Sequence, residues 1–279
     1  MDLWIAALAI WLALLCTIVV VRMGWSDASR ARGIAFVPTE AISQDQLFGL
    51  LLGANVAVIE HDDFNQLAST LPRRRIPELL ARYWSVCSAR DFQRVIDDRL
   101  RTLGAVSAEE AEAFEAWRAG TTIDTEAYRS LRDVLVFLTA HAGIVKPGGI
   151  RDQHCQLLAW DVQQVAYLLR LGYTMGYVSR ETAWRTLQRL RQTARMRYAS
   201  WADYSLSALV GMGLRGVLDL DDVADWYHIA RSHTVLLAAH RLLLARAADW
   251  TALGQSADVE PVSGFLGIGM PTTVFDPLR

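Results

Sequence analysis

Asp161 is the polar residue whose surroundings most invite a chemical role. On a helix its neighbours Leu157, Leu158, Val165 and Leu168 are apolar, so the carboxylate should face inward. A buried carboxylate needs a donor, either an arginine from another helix or backbone N–H groups. A buried ion pair fixing helix register is therefore the expected role. General acid–base work would need a second acid or a nucleophile at a fixed nearby spacing, and neither accompanies it. Asp219, Asp221, Asp222 and Asp225 form an acidic cluster that a divalent cation could use. Carboxylates at a helix start also complement the helix dipole unaided, and no metal is expected. Gly211-Met-Gly213-Leu-Arg-Gly216 matches G-x-G-x-x-G by letters, but it follows a helical pattern and opens no βαβ unit. His233 and His240, two helical turns apart, are too distant for one metal without further ligands. Nucleophile elbow, P-loop and H-E-x-x-H patterns are missing. No catalytic residue and no cofactor follow from these spacings.

Arginine carries nearly all the positive charge, since Lys146 is the only lysine among 28 basic residues. Residues 180–198 hold Arg180, Arg185, Arg189, Arg191, Arg195 and Arg197 against Glu181 alone. Arg185 with Arg189, and Arg191 with Arg195, are like-charge i,i+4 pairs that cost a few tenths of a kcal/mol each. The helix is either a solvated face paired with acids of its neighbours or a surface for an anionic partner. Arg185 and Arg189 should project opposite Leu187 and Leu190, which makes them the expected contacts for an acidic protein partner. With 28 bases against 30 acids the chain is not globally basic, and no nucleic acid is expected. A hydrophobic content of 52% excludes a disordered chain. Cys16, Cys87 and Cys155 are odd in number and widely spaced, as suits a reducing compartment.

Residues 3–21 read LWIAALAIWLALLCTIVVV, with Thr17 the one clearly polar side chain. A helix of that length spans about 28 Å, close to the ~30 Å of a bilayer core. The expectation is a retained transmembrane anchor over residues 1–24. Asp2 precedes the run, whereas Arg22, Arg30 and Arg32 follow it. The positive-inside rule then puts the N-terminus outside and the rest in the cytoplasm, which is a single-pass inner-membrane protein.

The elements that must position these residues read as helices. Ser43-Gln-Asp-Gln46 and Ser107-Ala-Glu-Glu110 are capping boxes, and Ser88-Ala-Arg-Asp91 is a near variant. Apolar stripes follow at Phe92, Val95, Ile96, Leu100 and Leu103, and at Leu131, Val134, Leu135 and Leu138. Residues 54–59, ANVAVI, are the best strand candidate and equally a helix end. Lys146-Pro-Gly-Gly149 is the clearest break. Beyond it, helical patterns cover about residues 153–171, 180–198, 201–211 and 221–248. The expected architecture is all-α: an N-terminal helical subdomain over 25–145, a second helical domain over 150–252, and an irregular arm over 253–279.

Trp160-Asp161, Arg170, Gly172-Tyr173, Gly176-Tyr177, Glu181-Thr-Ala183-Trp184, Ser200-Trp201 and Tyr204 follow one another in residues 159–213. That order resembles the bacterial helical family known as domain of unknown function 1266. A looser likeness, LLARYWSVCSARDFQRVI, resembles the family's upstream Trp-containing helix. Gln163 and Gln164 stand where the family carries an arginine. The resemblance implies a fold and a bacterial source, but no reaction. Asp161, Arg170 and Glu181 are the expected structural polar core. Tyr173, Tyr177 and Trp201 join Arg185 and Arg189 as expected partner contacts, although tryptophans also serve as core anchors. The reading is a membrane-tethered, non-enzymatic protein-binding module, in a specific version an immunity-type protein that captures a toxin or effector. Its rivals are an enzyme using Asp161 or the cluster from Asp219 to Asp225, and an envelope-associated scaffold.

Overall fold

Serine hydroxyls start most of the helices in the computed structural model, which describes residues 42–141 and 156–215, with Trp11 alone ahead of them. Ser43 opens α1 (Gln44–Leu51) through a complete capping box with Gln46. Ser107 does the same for α5 (Ala108–Ala119) with Glu110, and Ser88 caps α4 (Ala89–Arg101) from the Asp91 N–H. Between these lie α2 (Ala54–Ile59) and α3 (Arg75–Trp84). Thr125 caps α6 (Glu126–Val136), which runs into a π-helical turn over Phe137–His141. Three further helices complete the described fold: α7 (Leu158–Met175), α8 (Arg180–Arg197, capped by Ser179) and α9 (Trp201–Leu214, capped by Ser200). No strand occurs among the described residues, so the protein is all-α.

The strand candidate ANVAVI is helix α2. Ala54, Val56, Ala57 and Val58 are all buried, and Asn55 Nδ2 donates to Ser205 Oγ of α9 at 3.1 Å. A segment enclosed on every side gains from any regular structure that satisfies its own backbone, and tertiary contacts override β-branched preference. The helix of residues 153–171 begins at Leu158 and runs on to Met175.

Helix α7 is the axis of the molecule. Thirteen of its 18 residues are buried, the pattern of a helix with no solvent face. One apolar cluster joins α1 to α4 with α7, α8 and the start of α9. A second joins α5, α6 and the π turn with Leu157, Trp160 and the rest of α9. Both clusters draw residues from either side of the Lys146 to Gly149 break, so the expected division at that break does not separate two cores. No side chain of Leu157 caps α7; instead the Tyr198 hydroxyl, at the end of α8, accepts the Ala159 N–H at 3.0 Å. Burial pushes that hydroxyl's pKa up to about 12, so it keeps its proton, and it also hydrogen-bonds with Ser207 Oγ, 3.1 Å away.

The apolar run of residues 3–21 lies outside the described residues. So do Asp219, Asp221, Asp222, Asp225, His233, His240 and the arm over 253–279. Among the described residues no helix is long and apolar enough to cross a membrane.

Candidate functional site

Asp161 sits in the first turn of α7, partly buried, and its Oδ2 accepts the Gly104 N–H at 2.7 Å. Gly104 holds φ +73° in the turn between α4 and α5, a backbone region that glycine enters without a steric penalty. Of the two donors expected for Asp161, the backbone N–H is the one in place. Arg99 and Arg215 act on the carboxylate through space, while Arg215 itself pairs with Glu110 at 3.3 Å. Burial dominates this balance and raises the Asp161 pKa to about 6, against the opposing pull of Gly104, Arg99 and Arg215. The carboxylate thus pins the α4–α5 turn onto the start of α7.

Arg170, on the same helix, is wholly buried. Its guanidinium lies 3.6 Å from Asp62, donates from Nε to the Gln66 carbonyl at 3.1 Å, and also donates to the Asp63 carbonyl. Asp62 in turn accepts from Ser69 Oγ and from the Thr70 N–H, both at 2.8 Å. One buried cation therefore gathers the loop between α2 and α3 around itself, with every strong acceptor aimed inward. Asp62 had no signal in the sequence, because it reaches Arg170 from an irregular loop without periodicity.

Glu181 does not belong to this polar core. It lies in the first turn of α8 with 80% of its side chain exposed, and pairs with Arg185 at 2.5 Å. An acid in a first turn complements the helix dipole without burial, which explains its place there. Trp201 is the second displacement. Only 1% exposed, it holds its ring 4.4 Å from that of Phe48 at a tilt of 41° and meets Tyr204 edge-on, so it packs the core and offers no outer surface. Tyr173 and Tyr177 are half-buried against the same cluster, Tyr177 with its ring 5.9 Å from Phe92.

The glycines of the G-x-G lettering are inside α9. A Cβ on Gly211 would lie 2.3 Å from the Trp160 Cβ, so this glycine exists to let α9 and α7 approach. Among the described residues no group of histidine, cysteine and acidic side chains is placed to hold a metal. A cleft of about 330 Å³ opens between the end of α2 and α3, lined by Glu60, Arg75, Glu78, Arg82 and Tyr83 among others. Asp161 is not among the residues that line it. Glu60 and Arg75, both in its lining, pair at 2.9 Å.

Helix α8 presents the other candidate surface. Ala183, Leu187, Leu190 and Ala194 are buried, while Arg185, Arg189 and Arg197 are exposed. Arg191 differs from its fellows: it is buried and paired with Asp45 in the first turn of α1. Met196 is 69% exposed, the most of any large hydrophobic side chain among the described residues.

The class this defines is an all-helical protein built around one enclosed helix, with structural charges inside and an arginine-bearing helix outside. The chain belongs to the family described as protein of unknown function (DUF1266), whose model matches residues 79–251, more than half of its length. That match takes in the upstream helix with Trp84 as well as the region from Trp160 to Tyr204, and it crosses the Lys146 to Gly149 break. No curated protein and no solved structure matches the chain.

Proposed function

We propose that this protein is a membrane-tethered, non-enzymatic helical docking module, anchored by residues 3–21 with its helical domain in the cytoplasm. Its working surface is the outer face of α8, which engages an anionic partner. The observation that carries this is the exposure of Arg185 and Arg189 on one side of α8 with Met196 beside them. Exposed arginines supply steering and bidentate pairing to carboxylates and phosphates, and an exposed methionine adds adaptable apolar contact. The non-enzymatic part is supported by Asp161 Oδ2, which accepts a backbone N–H, and Arg170 Nε, which donates to a backbone carbonyl.

The test is charge reversal. Arg185→Glu with Arg189→Glu should leave the far-UV circular dichroism and thermal midpoint of the full-length protein unchanged. In wild type, retention of an anionic surface should fall with added salt, because exposed charges are screened beyond about 8–10 Å at physiological ionic strength. Retention insensitive to both the double substitution and salt would place the working surface elsewhere.

A further inference from the structure

Helix α5 carries the charge opposite to that of α8. It holds Glu109, Glu110, Glu112 and Glu115 against Arg118. At 100° per residue Ala108, Glu112, Glu115 and Ala119 fall within a ~60° arc, turned away from the buried Ala113, Phe114 and Ala116. All four are exposed, and the alanines leave room for long side chains to lie along the arc. On α8 Arg185, Arg189 and Met196 share a ~40° arc, turned away from the buried Ala183, Leu187, Leu190 and Ala194. The buried face of α5 belongs to the second apolar cluster and that of α8 to the first. Both outer arcs are exposed, so a single copy does not bring them together.

The two arcs match in charge and in spacing. Among the described residues Arg189 and Glu112 make no ion pair. Arg185 is held locally by Glu181 at 2.5 Å, and Glu115 lies 3.8 Å from Arg118. Along their axes the two arginines are about 6 Å apart and the two acids about 4.5 Å. Antiparallel helices therefore set Arg189 opposite Glu112 and Arg185 opposite Glu115. The same register brings Glu181 beside Arg118, so the two local pairs exchange partners and no charge is left uncompensated. It also brings the exposed Met196 beside Val106, another exposed large apolar side chain, just ahead of α5. A parallel alignment would carry Met196 past the end of α5 at Ala119.

We propose that the outer face of α8 docks, antiparallel, on the outer face of α5 of a second copy of this chain, with Arg189 on Glu112 and Arg185 on Glu115. This rests on the α8 surface proposed above and names its anionic partner; it is independent of the tether. The contact joins unlike patches, so each copy offers one of each and association can extend from copy to copy. One helix face against another is a small interface held largely by exposed charge, so the association is weak and sensitive to salt.

The experiment is sedimentation of the full-length protein in mild non-ionic detergent over a range of concentrations. The expected result is a sedimentation coefficient that rises with concentration at low salt and falls back at high salt. Arg185→Glu with Arg189→Glu, and separately Glu112→Arg with Glu115→Arg, should each weaken association several-fold with the far-UV circular dichroism unchanged. Glu112→Gln with Glu115→Gln should weaken it by less, since it removes attraction without adding repulsion. All four reversals together keep the net charge of wild type and restore faces of opposite sign, so association should return. A wild-type particle of constant size, association that any of the three pairs leaves intact, or no recovery in the fourfold variant overturns the proposal. Retention on immobilised polyglutamate separates it from the reading on which it rests. Retention that Arg185→Glu with Arg189→Glu abolishes, without self-association in wild type, overturns the second copy and leaves the α8 surface standing. Retention that the pair leaves unchanged, again without self-association, overturns both.

Discussion

Asp161 holds its proton more tightly in the folded chain than in the unfolded one. Its folded pKa of about 6 exceeds the ordinary 3.8, so ionisation of this group works against folding. Below pH ~4 both states are protonated and the effect is absent; it grows as pH rises through 6 and then levels. The difference corresponds to about 3 kcal/mol by the usual conversion. Asp161→Asn retains an oxygen for the Gly104 N–H and removes the ionisation. It should flatten the fall in stability between pH 4 and 6.5, and at pH 8 it should stabilise by about 1–3 kcal/mol in urea titrations. Asp161→Ala leaves that N–H without its acceptor and should cost about 1–3 kcal/mol below pH ~4, where the ionisation effect is absent. A steep loss of stability in the Asn variant at pH 8 would mean that Arg99 or Arg215 depends on a charged carboxylate. The inward aim of Asp161 was legible in the sequence because its neighbours at helical spacing are apolar. Its partner was not, since the N–H of a glycine in a distant turn leaves no trace in side-chain chemistry. Arg170 and Asp62 make the same point: an arginine inside an apolar helix announces burial, but the acid and carbonyls that receive it come from a loop.

The helices announce their own beginnings more clearly than their packing. Ser43, Ser88 and Ser107 were legible as caps because a capping interaction is complete within four residues. The ends of α7 were less so, as its first turn is capped by Tyr198, a whole helix further along the chain. ANVAVI misleads for a related reason, because alternation and β-branching suit a strand wherever the surroundings are unspecified. Close contact between α7 and α9 depends on Gly211, whose meaning comes from Trp160 across the interface rather than from the letters around it. Gly211→Ala introduces a methyl 2.3 Å from the Trp160 Cβ and forces the two helices apart. Overpacking of this kind costs typically 1–3 kcal/mol, about that range here, and should lower the urea midpoint with an unchanged slope. Tolerance of the alanine would show that α9 can slide along α7 without loss.

The whole molecule hangs on α7, which supplies residues to both apolar clusters, and this has a consequence for how it unfolds. Lys146-Pro-Gly-Gly149 reads as a natural boundary, since proline and paired glycine stop helices. Domains, however, are defined by where apolar side chains meet, and here helices from before the break pack on helices from after it in both clusters. Neither α1–α4 nor α5 and α6 can keep its core once α7 leaves, so the described fold should melt as one cooperative unit. Trp84, Trp184 and Trp201 report on the first cluster, and Trp117 and Trp160 report on the second. Replacing the first three with phenylalanine, or the last two, biases the fluorescence toward one cluster at a time. Denaturant titrations of the full-length protein in neutral nanodiscs should then give midpoints that differ between these variants only by the cost of each substitution. Within each variant, fluorescence should coincide with the far-UV circular dichroism, the signature of two-state unfolding. Fluorescence from the Trp160-bearing cluster that changes ahead of the dichroism would show that α5, α6 and the π turn detach first, and that α7 carries two separable units.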